Sequence, residues 1–186
     1  MKFLSSKKQK KIAEKFFEYS FSDKEPVESD FQLLDSAASM HFLADIYNWD
    51  DGEEVLDWII SNPKCDKGTA LLIFWRAQPD DYTCYENEKE ADYNSGVFLM
   101  LKKIIKNFET DFYKKEAIFC DPKNEVYDIN YKDKNAKWNI PDFMKQPTKG
   151  GKVYYLTSLT ELYQKWMKEY KRKRGRKRHR KKLGIK

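Results

Sequence analysis

Residues 47–60 read YNWDDGEEVLDWII, and this stretch decides how the middle of the chain folds. Its first half is built from residue types that favour turns, and an aspartate there can cap the free amides of a helix. Two glutamates follow, where they face the positive end of the helix dipole, and a dense apolar run completes the stretch. We therefore predict a turn that opens a short helix. The turn residues are Asn48, Trp49, Asp50, Asp51 and Gly52.

The same arrangement recurs at residues 65–75, which read CDKGTALLIFW. Asp66 or Thr69 can cap another helix here, and Gly68 permits a tight start. Cys65 precedes the cap and is expected to be a buried, reduced thiol. The two motifs therefore predict two consecutive short helices, each opened by an aspartate and a glycine.

Apolar periodicity predicts the remaining elements. Further helices are predicted at residues 7–20, 31–47, 96–108 and 158–170, the last opened by a Ser-Leu-Thr-Glu capping box. A short β-hairpin is predicted between residues 116–120 and 125–131 around an Asp-Pro turn, and KVYYLT at 152–157 is predicted to be extended. The predicted fold class is α+β and mainly α. A single compact helical domain with a C-terminal amphipathic helix is predicted to span 1–170, and a disordered basic tail to span 171–186.

The two motifs together, YNWDDG at 47–52 and CDKGTALLIFW at 65–75, resemble the bacterial domain of unknown function family 4274. The resemblance covers residues 34–130 and implies a compact, mostly helical bacterial domain. It implies no assigned activity and no catalytic residues. The lysine-rich first helix and the basic tail lie outside the family pattern.

Charge is distributed unevenly along the chain. The formal net charge is +6, but residues 165–186 carry +12 and residues 1–15 carry +5, which leaves −11 on residues 16–164. An acidic body therefore lies between two basic ends. Asymmetry of this kind indicates a charged partner for at least one of the ends.

The C-terminal run KRKRGRKRHRKK, residues 171–182, holds ten Lys or Arg in twelve positions. Such density cannot pack into a core, so we expect it to bind a polyanion, with solubilisation or folding back onto the acidic body as the alternative. Nucleic acid, anionic lipid and an acidic protein face all fit its charge. The predicted polyanion-binding residues are Lys171, Arg172, Lys173, Arg174, Arg176, Lys177, Arg178, Arg180, Lys181 and Lys182.

The sequence argues against an enzyme and against a cofactor or metal. The acids of DDGEE lack the alternating spacing of a calcium loop, and adjacent carboxylates on one turn do not face each other across a cleft. His41 and Cys65 are the only candidates for a nucleophile pair, and a structural histidine and a buried cysteine are the expected roles. No phosphate-binding, zinc-protease or nucleophile-elbow motif occurs.

Two features bear on localisation. The first residues contain no apolar run long enough for a signal peptide, and no stretch approaches the length of a membrane span. Three widely spaced cysteines without a CxxC pair are typical of a reducing compartment. We therefore expect a cytoplasmic protein.

Two functions fit these observations. The first is a non-enzymatic protein-binding domain, such as a toxin-immunity or adaptor protein, whose acidic body would suit a basic toxin or nuclease; the immunity role is an analogy with other small bacterial domains. The alternative is a nucleic-acid-associated protein, bound to RNA, the ribosome or DNA, that is anchored by the basic tail.

Overall fold

The computed structural model describes residues 2–19, 25–156, 167 and 170, and it is mainly helical with a small sheet. The helices are α1 (Ser6–Phe16), α2 (Glu28–Gln32), α3 (Ala37–Ile46), α4 (Glu54–Ser61), α5 (Lys67–Arg76), α6 (Glu88–Ala91) and α7 (Ser95–Glu109). The strands are β1 (Lys2–Ser5) and β2 (Val153–Leu156). The predicted fold class, α+β and mainly α, is therefore confirmed.

The predicted C-terminal elements lie mostly outside the described residues. Met167 and Tyr170 are helical, in agreement with the predicted helix at 158–170 at these two positions. The basic tail at 171–186 lies outside the described residues. Within the described ranges, none of the helices is long and apolar enough to cross a membrane.

Helix α5 lies at the centre of the hydrophobic core. Every residue from Gly68 to Trp75 is buried, as expected for a helix that other elements surround on all sides. The Trp75 indole is fully buried, and its Nε1 donates to the backbone carbonyl of Met144 at 2.7 Å. Helices α4 and α7 add the core residues Val55, Leu56, Ile59, Ile60, Phe98, Met100, Leu101, Ile104 and Ile105.

The predicted single helix at 31–47 is wrong, because the chain forms two helices there. Helix α2 ends at Gln32, and the backbone is non-helical until Ser36. The Ser36 backbone is extended, and its side chain accepts a hydrogen bond from the Ser39 amide at 3.2 Å. A hydroxyl in this position satisfies a first-turn amide, so α3 starts afresh after the break.

The predicted β-hairpin at 116–131 is also wrong. The sheet is formed instead by the parallel pair β1 and β2, with Phe3 opposite Tyr154 and Leu4 opposite Tyr155. The Asp-Pro sequence starts a 3-10 turn at Pro122–Asn124, where a proline fits the first position. The turn therefore does not reverse the chain into a hairpin.

Two glycines hold the segment around Ile118 against the core. A Cβ at Gly68 would lie 2.2 Å from the Ile118 carbonyl oxygen, and a Cβ at Gly150 would lie 2.3 Å from the Ile118 amide nitrogen. Only glycine allows backbones to approach this closely on both sides. Ile118 also forms an isolated parallel bridge with Gly151.

Candidate functional site

The turn at 47–52 is a structural element. Asn48 caps a 3-10 turn at Trp49–Asp51, and its side chain accepts from the Asp50 amide at 3.2 Å. Gly52 ends the turn with φ of 82°, a left-handed conformation that favours glycine. The predicted aspartate cap is wrong in detail, because the asparagine caps the turn and α4 starts after Glu53 without a side-chain cap.

A pair of tyrosines fixes this turn to α1. Tyr47 is buried, and its hydroxyl donates to the Gly52 carbonyl at 2.9 Å. Tyr19 lies just after α1, and its hydroxyl donates to the Asp51 carbonyl at 2.6 Å and lies 3.1 Å from the Tyr47 hydroxyl. Burial raises the pKa of both tyrosines, so both stay protonated donors.

The second motif is a hydrogen-bonded cap. Asp66 is fully buried and caps α5, as predicted, with Oδ1 accepting from the Gly68 amide at 3.0 Å. The same carboxylate accepts from the amides of Ala117 at 2.8 Å and Ile118 at 3.1 Å. Asp66 therefore joins the start of α5 to a segment that lies some fifty residues later.

His41 and Cys65 each contact a neighbouring residue of the core. His41 Nδ1 lies 3.1 Å from Thr69 Oγ1, which gives the histidine a structural partner. The Cys65 thiol is fully buried and its closest hydrogen-bond acceptor is the Asp66 carbonyl at 3.6 Å. Burial and the Asp66 charge raise the pKa of Cys65 well above its usual range. In the part of the chain that the structure describes, no His, Cys, Asp and Glu side chains gather as a group of three that could hold a metal ion.

A polar cavity of about 200 Å³ lies beside α5, around Arg76. The Arg76 guanidinium donates from Nη2 to Asp45 at 2.7 Å and from Nε to Glu125 at 2.9 Å. These bonds join α5 to α3 and to the turn after Pro122. The Arg76 guanidinium is thus paired with two carboxylates of its own chain.

Two loops, residues 79–94 and 125–138, form a surface that we call the acidic tyrosine face. The Lys137 amide donates to the Thr83 carbonyl at 2.8 Å, and the Trp138 indole donates to the Tyr82 carbonyl at 3.1 Å. Lys137 Nζ also forms an ion pair with Glu90 at 2.6 Å. These contacts hold the end of the second loop against the first loop.

This face combines negative charge with exposed aromatic rings. The two loops hold nine acidic residues and four lysines, a net charge of −5. Tyr93 is 98% exposed, Tyr131 is 56% exposed and Tyr127 is fully exposed. Burial raises the pKa of Asp80, and the nearby Asp81 and Asp128 carboxylates add to this effect.

The backbone at Tyr93 is held in an unusual conformation. Asp92 has φ of 47° and ψ of −115°, a region that non-glycine residues rarely adopt. Such strain persists only where the surroundings fix it, and it occurs most often at functional sites. Tyr93 follows this residue, and its side chain lies in solvent between α6 and α7.

The sequence alone did not single out this face. Within the first loop, Tyr82 packs against the core while Tyr93 is exposed. A run of acids with interspersed tyrosines was the available signal. The predicted polyanion-binding residues, Lys171 to Lys182, lie outside the described residues.

The middle of the chain is similar to a known protein family. Residues 35–109 match the family model described as Domain of unknown function (DUF4274), a span that runs from α3 to the end of α7. Comparisons with the curated proteins and with the solved structures found no match. Residues 35–109 of this chain therefore match the family that the sequence resemblance predicted, DUF4274.

Proposed function

We propose that this protein is a non-enzymatic binding protein whose acidic tyrosine face contacts a basic protein partner. The observation that carries the proposal is the presence of two fully exposed tyrosines, Tyr93 and Tyr127, on loops with a net charge of −5. Tyrosine supplies a large, stiff contact area and is enriched among the residues that dominate binding energy.

The restricted motion of the two loops supports the same proposal. Lys102 on α7 lies 3.7 Å above the Trp138 ring, which fixes the end of the second loop to the helix. Together with the Lys137–Glu90 ion pair, this contact limits the freedom of the face before binding. A pre-ordered surface loses less conformational entropy on binding.

The charge of the face defines the class of partner. A net negative surface steers positively charged proteins toward it and speeds their association. A basic toxin such as a nuclease would present the complementary charge, so by analogy the protein would be a toxin-immunity protein. The same surface would also suit an adaptor that binds another basic protein.

The test is a pull-down with tagged full-length protein, with and without nuclease treatment, followed by calorimetry on the purified partner. The variant Tyr93→Ala/Tyr127→Ala should weaken binding by about a thousandfold, because each ring is expected to contribute about 2 kcal/mol at a binding hot spot. The matched control is Leu33→Ala/Tyr170→Ala, which removes two exposed apolar side chains outside the face.

A partner that binds the control variant like the wild type, and fails to bind the tyrosine variant, supports the proposal. Equal binding by both variants contradicts it. Raising the salt concentration should slow association with the wild type, since rim charges act mainly on the rate of encounter.

A second candidate function rests on the composition of residues 171–182. Ten Lys or Arg in twelve positions would bind nucleic acid through phosphate contacts, with a steep salt dependence and little sequence preference. This function predicts nucleic acid that is recovered with the full-length protein, lost at high salt, and lost from a version ending at Tyr170. The protein-partner function should survive that truncation.

A further inference from the structure

A groove of about 720 Å³ lies along helix α1, between this helix and residues 30–35. We call it the α1 groove. Its volume is typical of small-molecule sites, which measure about 300–1,000 Å³. Most of its lining precedes residue 35, where the match to the family model starts, so the groove is a feature that this chain adds to the matched region.

The inner part of the α1 groove is apolar. Ile12 and Phe16 of α1 line it and are almost fully buried, at 4% and 1% exposure. Leu33 lines the same groove on the opposite wall and is 73% exposed. An alkyl chain lying in the groove would cover Leu33 and remove apolar surface from water, which favours binding.

Two ion pairs join the walls of the α1 groove. Lys8 pairs with Asp35 at 2.8 Å, and Lys15 pairs with Asp30. The two lysines are seven residues apart in α1, which is about 10 Å along the helix axis. A partner helix is itself about 10 Å wide, so it would fit along the groove only if both ion pairs broke. A single alkyl chain is much thinner and leaves the ion pairs intact.

Two other lysines at the rim of the α1 groove are available to an anion. Lys7 and Lys11 are exposed, line the groove and lie one turn apart, about 6 Å along the helix axis. Within the ranges that the structure describes, no carboxylate lies at ion-pair distance from either. The remaining carboxylate of the groove, Glu14, pairs with Lys10 at 3.8 Å. An anionic head group would therefore meet two ammonium groups that its own chain does not neutralise.

A membrane surface is the competing partner for a lysine-rich amphipathic helix. The apolar side of α1, however, packs against its own protein through Ile12 and Phe16. A helix in this position has no free apolar side to insert between lipids. A free amphiphile needs no such insertion, because it brings its own chain to the groove.

We propose that the α1 groove binds a single-chain anionic amphiphile, of the class of long-chain fatty acids. The alkyl chain packs on Ile12, Phe16 and Leu33, and the carboxylate contacts the ammonium groups of Lys7 and Lys11. An apolar lining with a few charged groups that orient the ligand is typical of small-molecule sites. None of the described lining residues belongs to the acidic tyrosine face, so this binding is independent of the proposed function.

The first test varies the ligand. Calorimetry of the full chain with sodium laurate, below its micelle concentration, should detect one binding site. Decanoate, which is two methylene groups shorter, should bind about fifteenfold more weakly. Dodecyltrimethylammonium has the same chain length and a positive head group, so it should bind at least about tenfold more weakly than laurate.

The second test places the alkyl chain. Leu33→Gln should weaken laurate binding about tenfold, because it replaces an apolar wall of the groove. The matched control is Leu99→Gln, which changes an exposed leucine of α7 and should leave laurate binding unchanged. Both side chains are exposed, and thermal melting checks that each variant is folded.

The third test places the head group. Lys7→Gln/Lys11→Gln should weaken laurate binding about tenfold and should reduce the preference for laurate over dodecyltrimethylammonium. A purely structural role of the two lysines would not change that preference. Lys64→Gln/Lys106→Gln removes the same charge from exposed positions elsewhere and should leave both affinities unchanged.

Four results would overturn the inference. They are no laurate binding by the full chain, equal affinity for laurate and dodecyltrimethylammonium, equal effects of the two leucine variants, and equal effects of the two lysine variants. Binding to phosphatidylserine vesicles without binding of free laurate would also overturn it, and would assign the lysines of α1 to a membrane surface.

Discussion

Replacing Asp66 by alanine should destabilise the whole domain, because this single side chain connects distant parts of the backbone. Its carboxylate accepts three hydrogen bonds, from the amides of Gly68, Ala117 and Ile118. Alanine leaves these amides without an acceptor, and each buried unsatisfied group costs about 1–3 kcal/mol. The free energy of unfolding should therefore fall by at least about 3 kcal/mol.

The assay is urea unfolding followed by tryptophan fluorescence. With a slope of about 2 kcal/mol per molar urea, the midpoint of Asp66→Ala should shift down by about 1.5 M. Asp66→Asn keeps one oxygen as an acceptor and should lose about half as much stability. This second variant keeps the comparison informative if the alanine variant fails to fold.

The matched control is Asp142→Ala. Asp142 is 97% exposed and only reaches Lys145 at 3.7 Å, so its removal should change the free energy of unfolding by less than about 0.5 kcal/mol. If Asp66→Ala shifts the urea midpoint no further than this control does, the carboxylate does not hold the two segments together.

Three other changes test the same fold. Gly68→Ala should cost about 2 kcal/mol or more in urea unfolding, because its Cβ would meet a backbone oxygen at 2.2 Å; wild-type stability would contradict the close approach. Asn48→Ala should lower the free energy of unfolding by about 1 kcal/mol, while Asp50→Asn should change it by less than half of that. A larger loss in Asp50→Asn than in Asn48→Ala would show that the aspartate is the cap. Iodoacetamide at pH 8 should modify the half-exposed Cys84 before Cys120, because burial raises the pKa of Cys120 to about 12 and keeps its thiol protonated; peptide mass spectrometry should find little Cys120 adduct in the native protein.

The helices near the two motifs could be predicted from the sequence because their signals are local. Apolar spacing and turn residues located α4, α5 and α7 to within one or two residues. The break before α3 was missed, although Ser36 is a capping residue type. The apolar pattern continues on both sides of Ser36, so it predicts one helix despite the capping residue.

The candidate surfaces could be predicted only in part. Composition showed that the body is acidic and the ends are basic. It did not show that Tyr93 and Tyr127 are exposed while Tyr47 is buried, because tyrosine suits a core and a surface equally well. Asp66 caps α5, as one of the two predicted alternatives, but its bonds to Ala117 and Ile118 and the close approach of Ile118 to Gly68 were not foreseen.

The sequence by itself determined the helical class, the positions of the two motifs, the family resemblance and the separation of charge, since each follows from neighbouring residues or from composition. Tertiary structure decided the pairing of β1 with β2, about 150 residues apart, and the grouping of Phe3 with Tyr154. Two parallel strands are not joined by a short turn, so the sequence holds no local signal that predicts their pairing. Short apolar strands also fit many possible partners. Only the packed core selects the pair that buries Leu4 and Tyr155 and leaves the aromatic pair outside.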